Sequence, residues 1–196
     1  RVGIGTSTPR ANLHLTGGSF LQTPTVSTEV AAVSLSADVV DTVVVGEYAY
    51  LLTGSSLNII DITDPSAMTE VSSTTITTSG LTGLKVVNNY VYAVSNTGPG
   101  AFGHLIIVDV SNPAQPIVVG EDVAVFGFQK DIVVKGDYAY IVQSGASGFD
   151  FIKIYDISNP TSPHVANLRI AVMDTPTRAE IQGDYLYVVG TGPAEL

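Results

Sequence analysis

Leu105-Ile106-Ile107-Val108-Asp109-Val110-Ser111-Asn112-Pro113 decides the fold, because the chain writes it three times. The other copies are Leu57-Asn58-Ile59-Ile60-Asp61-Ile62-Thr63-Asp64-Pro65 and Ile152-Lys153-Ile154-Tyr155-Asp156-Ile157-Ser158-Asn159-Pro160. Each is an almost unbroken apolar run closed by Asp, a small polar residue, Asp or Asn, and Pro. A run apolar at successive positions describes a strand covered on both faces. The Asx-Pro ending describes a turn, since Asp and Asn bond nearby backbone N–H groups and Pro presets φ.

A second phrase, Tyr-x-Tyr, occurs at Tyr48/Tyr50, Tyr90/Tyr92, Tyr138/Tyr140 and Tyr185/Tyr187. Before it stand Gly46-Glu47, Asn88-Asn89, Gly136-Asp137 and Gly183-Asp184. Gly and Asn accept the positive φ that two-residue hairpin turns need, so each Tyr-x-Tyr strand pairs with the strand before it. The interval from Asp61 to Tyr90, from Asp109 to Tyr138 and from Asp156 to Tyr185 is 29 residues each time. The interval from Tyr48 to Asp61, Tyr90 to Asp109 and Tyr138 to Asp156 is 13, 19 and 18 residues. All length variation therefore lies in one loop per repeat: Thr53–Ser56, Ser95–His104 and Gln143–Asp150.

A repeat of 42 to 48 residues with about four short strands is the pattern of a β-propeller blade. The expected fold is all-β, with strands A (43–45), B (48–52), C (57–62) and D (about 70–76) and their equivalents. Blade units fall at about 37–82, 83–130, 131–177 and a partial 178–196. Strand D of the first repeat is rich in Ser and Thr, which suits a wetted outer edge. Residues 30–36 read as a further D strand. The chain ends inside the fourth adjustable loop and does not begin with Met. We expect a piece of a longer protein, with closure by a second chain as the alternative.

Residues 1–16, RVGIGTSTPRANLHLT, read as two short alternating strands joined as a hairpin. So short a hairpin needs a neighbour to pair with. Residues 17–29 are rich in Gly, Ser, Thr and Pro and read as a linker to the repeats at 30–196.

Composition bounds the function. The 196 residues are 45% hydrophobic and 13% charged, with net charge −10 and no Cys, which allows a core and denies thiolate chemistry. The eight Lys and Arg are scattered, which argues against nucleic acid and anionic membranes as partners. No apolar run nears the roughly 20 residues of a membrane span, and residues 1–5 lack the pattern of a signal peptide.

The LIIVDVSNP-type phrases with their GDYAY-type hairpins resemble the LVIVD-repeat family over about residues 30–196. The resemblance implies a β-propeller, mostly in secreted or surface-attached settings. The VGIGT…P…LHL segment resembles phage tail fibres and bacterial surface fibres, which implies a slender, self-associating, usually trimeric β region. Together they imply an extracellular, cell-surface or virion location.

No catalytic, cofactor or metal residue is read from the sequence. The motif Asp residues supply too few oxygens for Ca²⁺, which wants six to eight, and are assigned to turns. The paired Tyr residues are assigned to inter-blade packing. His14, His104 and His164 stand in unrelated contexts, and no HxH, HExxH, GxSxG or phosphate loop occurs. An enzyme would need a carboxylate or His cluster at the central channel, and no repeat-breaking acidic pair is read near strand A. The loops that vary in length are the expected partner-binding surface. Phe102, His104, Phe149 and Asp150 come from the B–C loops, and Val125 to Phe128, with Phe126 and Phe128, and Asp174 to Arg178 from the D–A loops; the rival reading is that these Phe anchor long loops. The function expected is a non-enzymatic fibre module for presentation, adhesion or receptor and glycan binding. The alternatives are a free secreted propeller that binds a protein or carbohydrate and, less favoured, a propeller hydrolase or lyase.

Overall fold

The computed structural model describes residues 2–4, 13–15, 31–76, 80–97, 102–124, 127–144, 150–171 and 175–191. All regular structure among them is strand. Two compact units divide the chain at residue 30/31.

The first unit holds β1 (Val2–Ile4) and β2 (Leu13–Leu15). They pair in parallel, Val2 opposite Leu13 and Ile4 opposite Leu15, so the expected hairpin is corrected. The alternation was legible, but direction depends on the path between the strands, and residues 5–12 lie outside the described residues.

The second unit opens with β3 (Asp41–Val45), β4 (Tyr48–Leu52), β5 (Ser56–Asp61) and β6 (Thr69–Thr75) as one antiparallel sheet. The next sheet is β7 (Leu81–Val87), β8 (Tyr90–Thr97), β9 (Phe102–Asp109) and β10 (Ile117–Ala124). The third is β11 (Phe128–Lys135), β12 (Tyr138–Ser144), β13 (Phe151–Asp156) and β14 (His164–Ala171). A two-stranded sheet, β15 (Pro176–Gln182) with β16 (Tyr185–Gly190), follows. These are the A, B, C and D strands of three blades and the A and B strands of a fourth. Successive inner strands β3, β7, β11 and β15 pack side by side.

The sequence logic holds at each turn. Gly46, Asn88, Gly136 and Gly183 all have φ between 55° and 60°, as the A–B hairpins require. The C strands are buried on both faces: Leu105, Ile106, Ile107 and Val108 expose nothing. Alternation sends their side chains to opposite neighbours. Ile106 and Val108 pack with Tyr50 and Leu52 of the first blade, Leu105 and Ile107 with Ile132 and Ile141 of the third. Strand β6 is wetted, as its Ser and Thr content implies.

Two expectations are corrected. Residues 31–35 form no strand. A D strand exists only where a C strand supplies its ladder, and no described C strand lies there to pair with it. The loop expected at 95–104 is shorter, because β8 runs to Thr97 and β9 starts at Phe102.

The outer rim is locked blade to blade. Ser72 Oγ donates to the Pro113 carbonyl at 2.7 Å. One blade on, Gly120 occupies the equivalent position, and a Cβ there would stand 2.1 Å from the Pro160 carbonyl oxygen. Gly120→Ala is therefore expected to destabilise the protein by about 1–3 kcal/mol through overpacking. A urea unfolding midpoint equal to the parent's would show that the rim yields without cost.

Candidate functional site

Three places carry polar side chains in quantity: the C–D turns, the end bearing the B–C and D–A connections, and the cleft along the inner strands. The turns resolve into structure. Asp61, Asp109 and Asp156 each accept, through Oδ1, the N–H two residues on, from Thr63, Ser111 and Ser158 at 2.8–2.9 Å. Asp64, Asn112 and Asn159 repeat this with Ser66, Ala114 and Thr161 at 2.9–3.2 Å. The turns are tied to the A–B hairpins, since Ile62, Val110 and Ile157 donate N–H to the Glu47, Asn89 and Asp137 carbonyls.

Hydrogen bonding from Thr63 holds the Asp61 carboxyl below the usual range, and Ser111 and Ser158 do the same for Asp109 and Asp156. A depressed carboxyl contributes stability that is fully present above the unfolded value of about 3.9. It is lost as pH falls through the lower folded value. A triple Asp61→Asn, Asp109→Asn, Asp156→Asn variant keeps acceptors that do not titrate. Its urea midpoint is expected to fall less steeply between pH 4 and pH 2 than the parent's; parallel curves would contradict this.

The loop end gathers the expected partner residues only partly. His104 lies within β9, opposite Ser95, with Nδ1 2.8 Å from Glu121 Oε1. Phe128 begins β11, 47% exposed, and the Lys130 ammonium stands 5.6 Å from its ring centre. Asp150 is half-buried just before β13. These three share the same end of the second and third sheets. Phe102 belongs to β9 by its backbone; Phe126 and Phe149 lie outside the described residues. Beneath this end is a polar layer that the sequence reading missed. Ser95, Gln129, Gln143 and Ser144 are buried. Asn96 Oδ1 accepts the Gln129 N–H at 2.6 Å while its Nδ2 donates to the Gln129 carbonyl at 2.9 Å, tying the second blade to the third.

The inner cleft contradicts the expectation that no acidic pair breaks the repeat near strand A. The register makes Asp41, Gly83, Asp131 and Arg178 equivalent, opposite Leu52, Val94, Val142 and Val189. In β7, β11 and β15 a bulge falls immediately before this position, which re-aims the side chain. Asp41 accepts the N–H of its neighbour Thr42 and that of Leu84 in the next blade, both at 2.9 Å. Asp131 likewise accepts from Ile132 and from Ala179 in the next blade, both at 2.9 Å. Burial raises the Asp131 carboxyl above its usual range, against these bonds and the charges of Arg178 and Lys85. Bulges have no sequence signature here, so the pair was invisible as a pair.

Two residues further along, and so on the same face of each strand, Val43, Lys85, Val133 and Glu180 are equivalent. Lys85 Nζ reaches Glu180 Oε2 at 3.6 Å across the third blade. The pair stands between two cavities of about 360 and 480 Å³ that both include it. Among the described residues, no group of three His, Cys, Asp or Glu is placed to hold a metal ion.

A second departure from the repeat sits between the second and third blades. Lys153 and Tyr155 replace the apolar Ile106 and Val108 of the preceding repeat. The Lys153 ammonium lies 4.9 Å from the Tyr155 ring centre. Burial lowers the Lys153 pKa, and Asp122 opposes the shift.

The LVIVD repeat matches residues 37–76, 82–122 and 127–167, and the chain belongs to that family. No curated protein matches the chain at significant similarity. Among solved structures, the chain is similar to the computationally designed Ika4 protein, at TM-score 0.60 and 10% identity, over 85% of this chain and 99% of that one. It is also similar to a putative 6-phosphogluconolactonase from Bacteroides fragilis, at TM-score 0.54 and 19% identity, over 74% of this chain but 39% of that one. These likenesses establish the repeat-propeller fold and carry no activity with them.

Asp131→Ala leaves two buried N–H groups, on Ile132 and Ala179, without an acceptor. It is expected to cost about 2–4 kcal/mol, and Asp131→Asn, which keeps one acceptor oxygen, about half that. Equal urea midpoints for Asp131→Ala and the parent would show that the bridge between blades is dispensable.

Proposed function

We propose that the chain is a non-enzymatic interaction module of an extracellular or virion fibre. In this reading the propeller presents the end bearing its B–C and D–A connections to a protein or glycan partner. The observation that carries it is the contrast between the two ends of the sheets. At one end the A–B hairpins and C–D turns have constant length and are bonded to one another, Ile62 to Glu47, Val110 to Asn89 and Ile157 to Asp137. At the other end the B–C connections vary in length over the same frame. A rigid scaffold with variation confined to one end suits recognition. Exposed Phe128 at that end offers an aromatic anchor.

The fibre part of the reading rests on the first unit. Strands of three residues in a single parallel pair need further neighbours to be stable. Association with other copies of the same segment would supply them. Light scattering of the full chain and of a chain lacking residues 1–29 tests this. The full chain is expected to assemble, as a trimer if the fibre resemblance extends to stoichiometry, and the shortened chain to remain folded and monomeric. A full chain that stays monomeric at every concentration removes the fibre reading and favours the free secreted propeller.

A further inference from the structure

We propose that the cleft between the inner strands binds a small acidic sugar, a hydroxylated ring bearing one carboxylate. The site is separate from the loop end, and its occupancy does not depend on the reading given above.

The repeat itself points to the cleft. A scaffold needs only the apolar residue seen at Val43 and Val133, yet the equivalent positions carry Lys85 and Glu180. Two residues earlier in each strand stand Asp41, Asp131 and Arg178, around a single Gly83. Five charged groups of both signs thus break the repeat in one place. They border a cavity of about 360 Å³ that Leu84, Tyr187 and Val189 also line. A pocket of that size accommodates a single small ligand.

The chemistry of the lining selects among ligands. Arg178 has no carboxylate within ion-pair distance among the described residues, and its planar fork matches a carboxylate in two-point contact. Lys85 and Glu180 occupy each other at 3.6 Å and form one wall. Asp41 and Asp131 are anchored by two backbone N–H groups each, which fixes their orientation. Each of their oxygens keeps a second lone pair, and an ionised carboxylate can only accept. They therefore call for hydroxyl donors. Tyr187, 55% exposed, offers a ring face to the C–H side of a sugar. A compact inorganic anion would bring no hydroxyl donors to Asp41 and Asp131. A metal cation would lack a cluster of three ligands. A neutral sugar leaves Arg178 unmatched, and a simple carboxylate leaves Asp41 and Asp131 unmatched. One carboxylate on a polyhydroxylated ring satisfies both halves.

Titration calorimetry of the full chain with glucuronate, glucose and acetate, at matched ionic strength, tests the assignment. Glucuronate is expected to bind, with glucose and acetate each weaker by about tenfold or more, the loss of one charged or multiply hydrogen-bonded half. Arg178→Gln is expected to weaken glucuronate by about tenfold while its thermal midpoint stays at the parent value, because the side chain is exposed. Arg178→Lys should lose less, and Tyr187→Ala a few-fold. No binding of glucuronate to the parent, equal binding of acetate, or unchanged affinity in Arg178→Gln each overturns the proposal.

Discussion

A strand that is apolar on both faces cannot be completed by one neighbour. Leu105 to Val108 alternate between the first and third blades, so the second sheet is stable only between two others. Leu105, Ile106 and Ile107 are fully buried and contribute about 1.5–3 kcal/mol apiece. No single four-stranded sheet of this composition could cover both faces of its own C strand. Stacking is thus a requirement of the sequence, and the inner position of the A strands follows from it.

The same constraint explains what was legible. Periodicity, burial and turn chemistry are local, so the C strands, the Tyr-x-Tyr hairpins and the Asx turns could be read directly. The assignment of the Tyr residues to packing holds at Tyr50 and Tyr92, both buried; Tyr185 and Tyr187 are exposed, with no further described sheet beside them. What could not be read depends on partners distant in sequence. The parallel pairing of Val2 with Leu13 and the absence of a strand at 31–35 are questions of who is available to pair. The bridges of Asp41 and Asp131 depend on bulges that only the ladder reveals. Of the proposed loop-end residues, His104 proved to be part of a strand with Glu121 beside it, because β9 extends further than the spacing implied.

Polar groups occur in layers within an otherwise apolar stack. The C–D turns close one end with carboxylates bonded to their own backbone. At the opposite end of the sheets, Ser95, Gln129, Gln143 and Ser144 are buried beside the apolar layer. Gly103 and Gly127 press against this layer; a Cβ on either would fall about 2 Å from the amides of Gln129 or Gln143.

The bridging carboxylates occur in the first and third blades and are replaced by Gly83 and Arg178 in the second and fourth. Asp41 serves the N–H of Leu84, and Asp131 serves the N–H of Ala179, whereas Ile132 is served by its own Asp131. The blades are therefore alike in outline but not in bonding, and the bridging carboxylate alternates between them. The inner N–H groups of Thr42, Leu84, Ile132 and Ala179 thus share two carboxylates, two to each. A blade without such an Asp has its inner N–H served from the blade before it, so the order of blades along the chain is constrained by bonding as well as by packing.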